Sequence, residues 1–253
     1  VIRQVINIPD IVMASSSHCA MSFKNVGINR DISVNYIGVD IDRMSDDGSK
    51  RSKYRQELGI NETTKLVVFV GRFNPEMGLD VLIDIIPNIL SEFEDVKFLL
   101  VGASGELILS AQKLKDDFKD QVFVFNDVSF DLLPFIYAAS DIVLAPSRAQ
   151  HACMGVSIKE AMAASKPVIG SSSGGIPEAI VNNETGLIVN LDERGDINKK
   201  QFKEAILILL NNKKRAIEMG NRGRFRAIEL FSEIASVKTL IKYFKVVQKK
   251  ISQ

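Results

Sequence analysis

The sequence has 253 residues, 46% of them hydrophobic and 25% charged, with a formal net charge of +1. This is the composition of a folded globular chain long enough for one large or two small domains, and it excludes a disordered segment. The balanced charge, with no interleaved basic and aromatic patch, excludes nucleic acid as a default partner, and no apolar run reaches the ~18–20 residues of a membrane span.

Residues 1–40 read as helix, strand, helix, strand. Ile11-Val12-Met13-Ala14 is an apolar strand, and one of the serines Ser15, Ser16 and Ser17 caps a helix running to about Val26. Ile32 to Ile37 is the next strand, and the polar, turn-rich Met44 to Lys50 reads as a linker or loop. From Lys65 onward strands and helices alternate. Leu66 to Val70 is a continuous apolar run, as expected of a strand buried on both faces of a parallel sheet. Val96–Val101, Val122–Phe125, Ile142–Ala145, Val168–Ile169 and Leu187–Val189 supply further strands, with an amphipathic helix over Leu79–Leu90 and others between several strands. Such repetition predicts an α/β fold, a Rossmann-like parallel sheet flanked by helices. Beyond Val189, Phe202–Leu210 and Ala216–Leu230 are helical. A terminal helix from Ile234 to about Val247 carries Val237, Leu240, Ile241 and Phe244 on one face and lysines elsewhere, so it suits either a protein face or a basic membrane-facing role.

In a sheet of this kind ligands bind at the carboxyl ends of the strands. Arg72 leaves Leu66–Val70 at that end, where its guanidinium is either a surface group or a clamp for a diphosphate. The helix from Val156 to Ala164 turns Val156, Ile158, Ala161 and Met162 toward a core, with Lys159 and Glu160 pointing elsewhere. Gly155 precedes it and lets an anion approach the helix N–H groups. Glu160 is either a solvated helix residue or a carboxylate able to hold both hydroxyls of a ribose. Gly174 and Gly175, ahead of Ile176-Pro177, make either a tight turn or a second anion or sugar-hydroxyl site. His18 caps or packs. The two cysteines, Cys19 and Cys153, lie far apart and match no metal spacing; they read as unpaired thiols, Cys153 packed, in a reducing compartment.

The run KEAMAASKPVIGSSSGGIPEAIVNNETGLIV resembles the signature of the retaining nucleotide-sugar glycosyltransferases of family four, and the similarity extends in order over nearly the whole chain. The resemblance implies a GT-B type fold. It divides the chain into residues 1–43, a remnant of an amino-terminal acceptor domain and linker; 44–232, a donor-binding Rossmann-like domain; and 233–253, a crossover helix. The chain begins at Val1 inside an expected helix, so a fragment is expected, inactive alone, with catalytic partner residues in a preceding domain.

The resemblance also implies roles. Gly71-Arg72 would face the diphosphate, Asp127-Val128 would offer backbone groups to the base, and N–H groups beyond Gly155 and at Gly174-Gly175 would hold phosphate, with Glu160 on the ribose. Two departures stand out. A Lys-Gly pair usual after Gly-Arg is Met77-Gly78 here, and the first of two glutamates spaced across the donor is Ala152, beside which His151 or Gln150 could supply a hydrogen bond. The implied activity is transfer of a sugar from a nucleotide-diphosphate donor to a hydroxyl on a sugar, lipid or small molecule, with no metal or other cofactor. A cytoplasmic location is expected, with peripheral membrane contact through the preceding domain. The alternatives are a non-catalytic nucleotide-sugar-binding partner subunit with a degenerate site, and a related nucleotide-sugar epimerase.

Overall fold

The computed structural model describes residues 10–28 and 30–251, so the helix expected before Ile11 lies outside the described residues. A small parallel sheet pairs β1 (Val12–Ala14) with β2 (Ile32–Val34), joined by α1 (Ser17–Asn25). Ser16 is the cap of α1, its side chain accepting from the Cys19 amide. Two short helices follow, α2 (Ile41–Met44) and α3 (Ser49–Glu57). Then β3 (Lys65–Val70), β4 (Val96–Gly102), β5 (Val122–Asn126), β6 (Ile142–Ala145), β7 (Val168–Ser171) and β8 (Gly186–Val189) form one sheet, parallel throughout, in the order β5-β4-β3-β6-β7-β8. The remaining helices are α4 (Leu79–Glu92), α5 (Ile108–Phe118), α6 (Leu133–Ala139), α7 (Val156–Ala163), α8 (Ile176–Ala179), α9 (Lys199–Leu210), α10 (Lys213–Leu230) and α11 (Glu233–Ile251). The α/β, Rossmann-like reading of the sequence holds.

Strand alternation divides the core. Val67, Phe69, Phe98, Leu100, Ile142 and Leu144 face α4, α5 and α9, whereas Leu66, Val68, Leu99 and Val101 face the side of α3 and α6, and Val143 and Val168 meet α7. Each such side chain, nearly inaccessible to water, contributes roughly 1.5–3 kcal/mol relative to exposure. At the amino edge of the sheet the buried Arg55 of α3 donates to the carbonyls of Ala139, Asn61 and Thr64 and pairs with Asp141 at 3.5 Å. Asp141 in turn accepts from the Leu66 amide at 2.8 Å. Burial lowers the Arg55 pKa from its ordinary value, and these carbonyls and carboxylates are what keep the charge tolerable there.

Two expectations need correction. The Met44–Lys50 stretch is not all linker: Ser49 and Lys50 open α3, their amides capped by Asp47 at 3.0 Å and Asp46 at 2.9 Å. That helix escaped notice because its segment SKRSKYRQE is almost wholly polar and shows no apolar period. The strand expected to reach Ile37 stops at Val34. There the chain turns to other partners, Tyr36 meeting Phe231 edge-on at 5.3 Å and the Ile37 carbonyl accepting from Lys159 at 2.6 Å.

Candidate functional site

The sheet reverses direction of growth between β3 and β6, which pair side by side while their successors run outward on opposite flanks. A crevice opens outside the carboxyl ends at such a switch point. The segments leaving the two strands are stitched together across it. Asn74 caps a one-turn helix, Pro75–Met77, whose Glu76 carbonyl accepts from the Arg148 amide at 2.9 Å and from the Ser147 hydroxyl at 3.2 Å. Arg148 also donates to the Pro75 carbonyl at 2.7 Å and to Asp80 at 3.0 Å.

On this scaffold Arg72 and His151 converge on the Glu76 carboxylate. Arg72 Nη2 stands 3.8 Å from Oε2, and His151 Nε2 stands 3.0 Å from Oε1. Both side chains are largely exposed, at 62% and 82%, so they are held loosely and remain available to a ligand. Gly71 precedes Arg72, its amide donating to the Val101 carbonyl at 2.9 Å. Met77, where the resemblance leads one to expect a lysine, has a partly buried side chain packed on the main core.

Gly155 enters α7 at φ +69°, a left-handed value that glycine adopts without strain. The orientation expected of α7 is partly wrong. Val156 is exposed, whereas Lys159 and Glu160 are buried, because α7 packs against α10 and α2 as well as the sheet, with Glu160 reaching Tyr137 of α6 and Lys159 the Ile37 carbonyl. Glu160 Oε2 accepts from the buried Tyr137 hydroxyl at 2.9 Å, and Oε1 has no partner among the described residues. Burial raises the Glu160 carboxyl above its ordinary value, against the lowering effects of the Tyr137 hydrogen bond, Arg43 and Lys159. Burial likewise lowers Lys159 to about 8, and the Glu160 charge opposes it. Tyr137 is raised by burial first and by Glu160 second, so the phenol stays a donor.

Gly174 and Gly175 lie under the loop that carries His151 and Ala152. A Cβ on Gly174 would stand 2.4 Å from the Ala152 oxygen, and one on Gly175 would stand 1.4 Å from the Cys153 oxygen. The Gly175 amide donates to the Ala152 carbonyl at 3.0 Å. Below the pair the Ser173 hydroxyl is buried without a partner among the described residues. Ala152 thus serves through its backbone.

The cysteines are paired: Cys19 of α1 and Cys153 of this loop form a disulfide across 134 residues of sequence. The expectation of unpaired thiols is overturned, and with it the ground for a reducing compartment, because folding brings together segments whose proximity no spacing rule reveals. Around the bond, the Ser17 and His18 amides donate to the Glu178 carboxylate at 2.8 and 2.6 Å, and His18 Nε2 lies 2.5 Å from the Gln150 oxygen. His18 therefore packs against the loop.

Asp127 and Val128 follow β5, two strands away from β3. Asp127 sits at φ +56° with its amide on the Gly102 carbonyl at 3.0 Å, and Val128 packs on the apolar cluster under α6. They share the sheet edge with Arg72 but touch neither it nor Glu160. Glu76, Tyr137, Ser173 and Glu178 were missed by sequence reasoning. Only Glu76 left a signal there, its spacing of four from Arg72 after a capped Pro turn. Among the described residues no group of three or more His, Cys, Asp or Glu side chains is placed to hold a metal, and no helix is long and apolar enough to cross a membrane.

Solved structures share this fold. The chain is similar to the Anabaena Alr3699/HepE protein in complex with UDP-glucose, with a TM-score of 0.81 at 22% identity over 97% of this chain and 66% of that one. It is also similar to the C-terminal domain of a glycosyl transferase group 1 family protein (LpcC) from Francisella tularensis, with a TM-score of 0.65 at 20% identity over 78% of this chain and 100% of that one. The fold is that of a GT-B glycosyltransferase domain. Residues 50–226 match the family described as Glycosyl transferases group 1, and the chain belongs to that family. Among its relatives is the GDP-mannose-dependent alpha-(1-6)-phosphatidylinositol monomannoside mannosyltransferase of Mycobacterium tuberculosis, 32% identical over 233 residues. Those residues cover 88% of this chain but 58% of the relative, so the chain spans little more than half of that protein's length.

Proposed function

We propose that this chain is the donor-binding half of a retaining glycosyltransferase that moves a sugar from a nucleoside diphosphate to a hydroxyl acceptor. The observation that carries this reading is Glu160, a nearly buried carboxylate with one oxygen committed to Tyr137 and the other unpartnered. That second oxygen is not sealed from solvent, and a ribose diol would supply the hydrogen bonds it lacks within the chain. Tyr137 fixes the carboxylate's orientation. Arg72 and the N–H groups at the start of α7 neutralise the diphosphate, stabilising it as negative charge develops on departure of the sugar; the Gly175 amide expected to help is already committed to the Ala152 carbonyl. His151, one residue from Ala152 and largely exposed, would supply the hydrogen bond to the donor that the absent carboxylate cannot. The relatives make GDP-mannose the first donor to test and UDP-glucose the second; a lipid hydroxyl is the first acceptor.

Titration with GDP and with UDP tests the site directly. Because the Arg72 side chain is exposed, Arg72→Ala is expected to weaken binding by about tenfold, the low end for a charge-assisted hydrogen bond. Unchanged affinity for whichever nucleotide binds would refute the diphosphate role. In the full-length protein, nucleotide-sugar binding without any transfer would favour a partner subunit with a degenerate site, which Met77 and Ala152 would then explain.

A further inference from the structure

We propose that the Cys19–Cys153 disulfide is a redox latch on the nucleotide site, the ligand part of this proposal resting on the reading above. Cys153 lies one residue beyond Ala152 and two before Gly155, in the loop that holds His151 over Gly174-Gly175. Cys19 lies in the first turn of α1, outside the six-stranded sheet domain. The bond therefore ties the loop between β6 and α7 to a separate element of the chain. Three noncovalent contacts surround it: Ser17 and His18 amides on Glu178, and His18 on the Gln150 carbonyl. Each lies at or near the surface, where water competes for the same groups, so the covalent link is the firmest hold on the loop from that side.

Both cysteines are only partly buried, so the disulfide is not enclosed in the core, and the latch requires one sulfur to be reached by a small thiol. The reaction is thiol–disulfide exchange with a dithiol reductant. One reductant thiolate attacks a cysteine sulfur, the S–S bond breaks, and the released protein thiolate takes a proton. The second reductant thiol then displaces the mixed disulfide, leaving Cys19 and Cys153 as two thiols and the reductant as its cyclic disulfide. Two electrons and two protons pass to the protein. Ser147 and Arg148 stay anchored on Glu76, Pro75 and Asp80, but residues 149–153 then rest on the Gly175 and Ala149–Ala152 backbone bonds and on the exposed His18–Gln150 and His151–Glu76 contacts, and a nucleotide must order them on binding. Ordering even one or two residues weakens affinity by about tenfold.

The test uses the whole chain, with GDP and UDP as probes. Alkylation and intact mass under non-reducing conditions count the thiols, hydrogen exchange follows residues 146–155, and calorimetry measures nucleotide affinity before reduction with dithiothreitol, after it, and after reoxidation. The expected result is no alkylation before reduction, faster exchange in 149–155 and about tenfold weaker nucleotide binding after it, both restored by reoxidation. Cys19→Ser is expected to show the reduced behaviour at all times and to ignore dithiothreitol. Ready alkylation of both cysteines in air-oxidised protein overturns the proposal, as does exchange unchanged by reduction or an exchange change that leaves affinity untouched. If neither form binds either nucleotide, the proposed function fails, and the exchange comparison alone decides whether the bond restrains the loop.

Discussion

Gly175→Ala is expected to destabilise the protein by about 3 kcal/mol or more, above the usual cost of overpacking because the clash is with main chain. The added Cβ would stand 1.4 Å from the Cys153 oxygen and 2.5 Å from its carbonyl carbon. No rotamer change relieves this, since both colliding atoms belong to the backbone. The backbone at Gly175 itself is ordinary, at φ −86°, so the effect is steric. Gly195→Ala is the matched control: Gly195 has φ +78° but open space around it, and its substitution costs only local conformational strain of about 1 kcal/mol. Urea unfolding of both variants decides the matter. Equal midpoints would mean that the 149–153 loop does not press on Gly175 as described. Nucleotide binding should be lost in Gly175→Ala even at temperatures where the fold survives, since the same loop carries His151 and leads into Gly155.

The second large effect separates binding from stability. Glu160→Gln is expected to weaken nucleotide affinity by roughly 10- to 150-fold, corresponding to the ~1.5–3 kcal/mol of hydrogen bonds to a charged group. Folding stability at neutral pH is expected to be unchanged or higher, because a glutamine oxygen still accepts from Tyr137 while the cost of a buried charge disappears. The pH dependence has a definite sign. Burial raises the folded-state pKa of Glu160, so the native protein keeps this proton after the unfolded chain has released it. The cost of the charge is therefore absent below the ordinary carboxylate range, grows as pH rises through the folded pKa, and is constant beyond. The stability advantage of the glutamine variant should follow that course. A glutamate that served only to hold Tyr137 would give the opposite pattern, with intact nucleotide binding in Glu160→Gln.

Strands were legible because burial on both faces leaves an apolar run, and Leu66–Val70 and Ile142–Ala145 need no tertiary knowledge to be recognised. The polar α3 was not, since its place is fixed by Arg55 reaching carbonyls of distant segments rather than by an apolar stripe. Arg72, Gly155 and Glu160 could be singled out from local spacing, but the setting of Glu160 could not. Its partner Tyr137 sits on another helix, and the helical period of α7 suggested that Lys159 and Glu160 faced away from the core when both are covered. The cysteine pair shows the same limit more sharply. Two residues separated by 134 positions carry no mark of their meeting, which depends on where α1 settles beside the loop.

Glu76 places an anion of the protein's own beside Arg72 and His151. On the proposed function an incoming diphosphate would exchange with a tethered carboxylate rather than with dissolved salt, leaving the local charge balance for the ligand to complete. Affinity should consequently decline less steeply with ionic strength than a bare Arg72 would dictate, and lifting that tether with a neutral residue at position 76 would make it steeper.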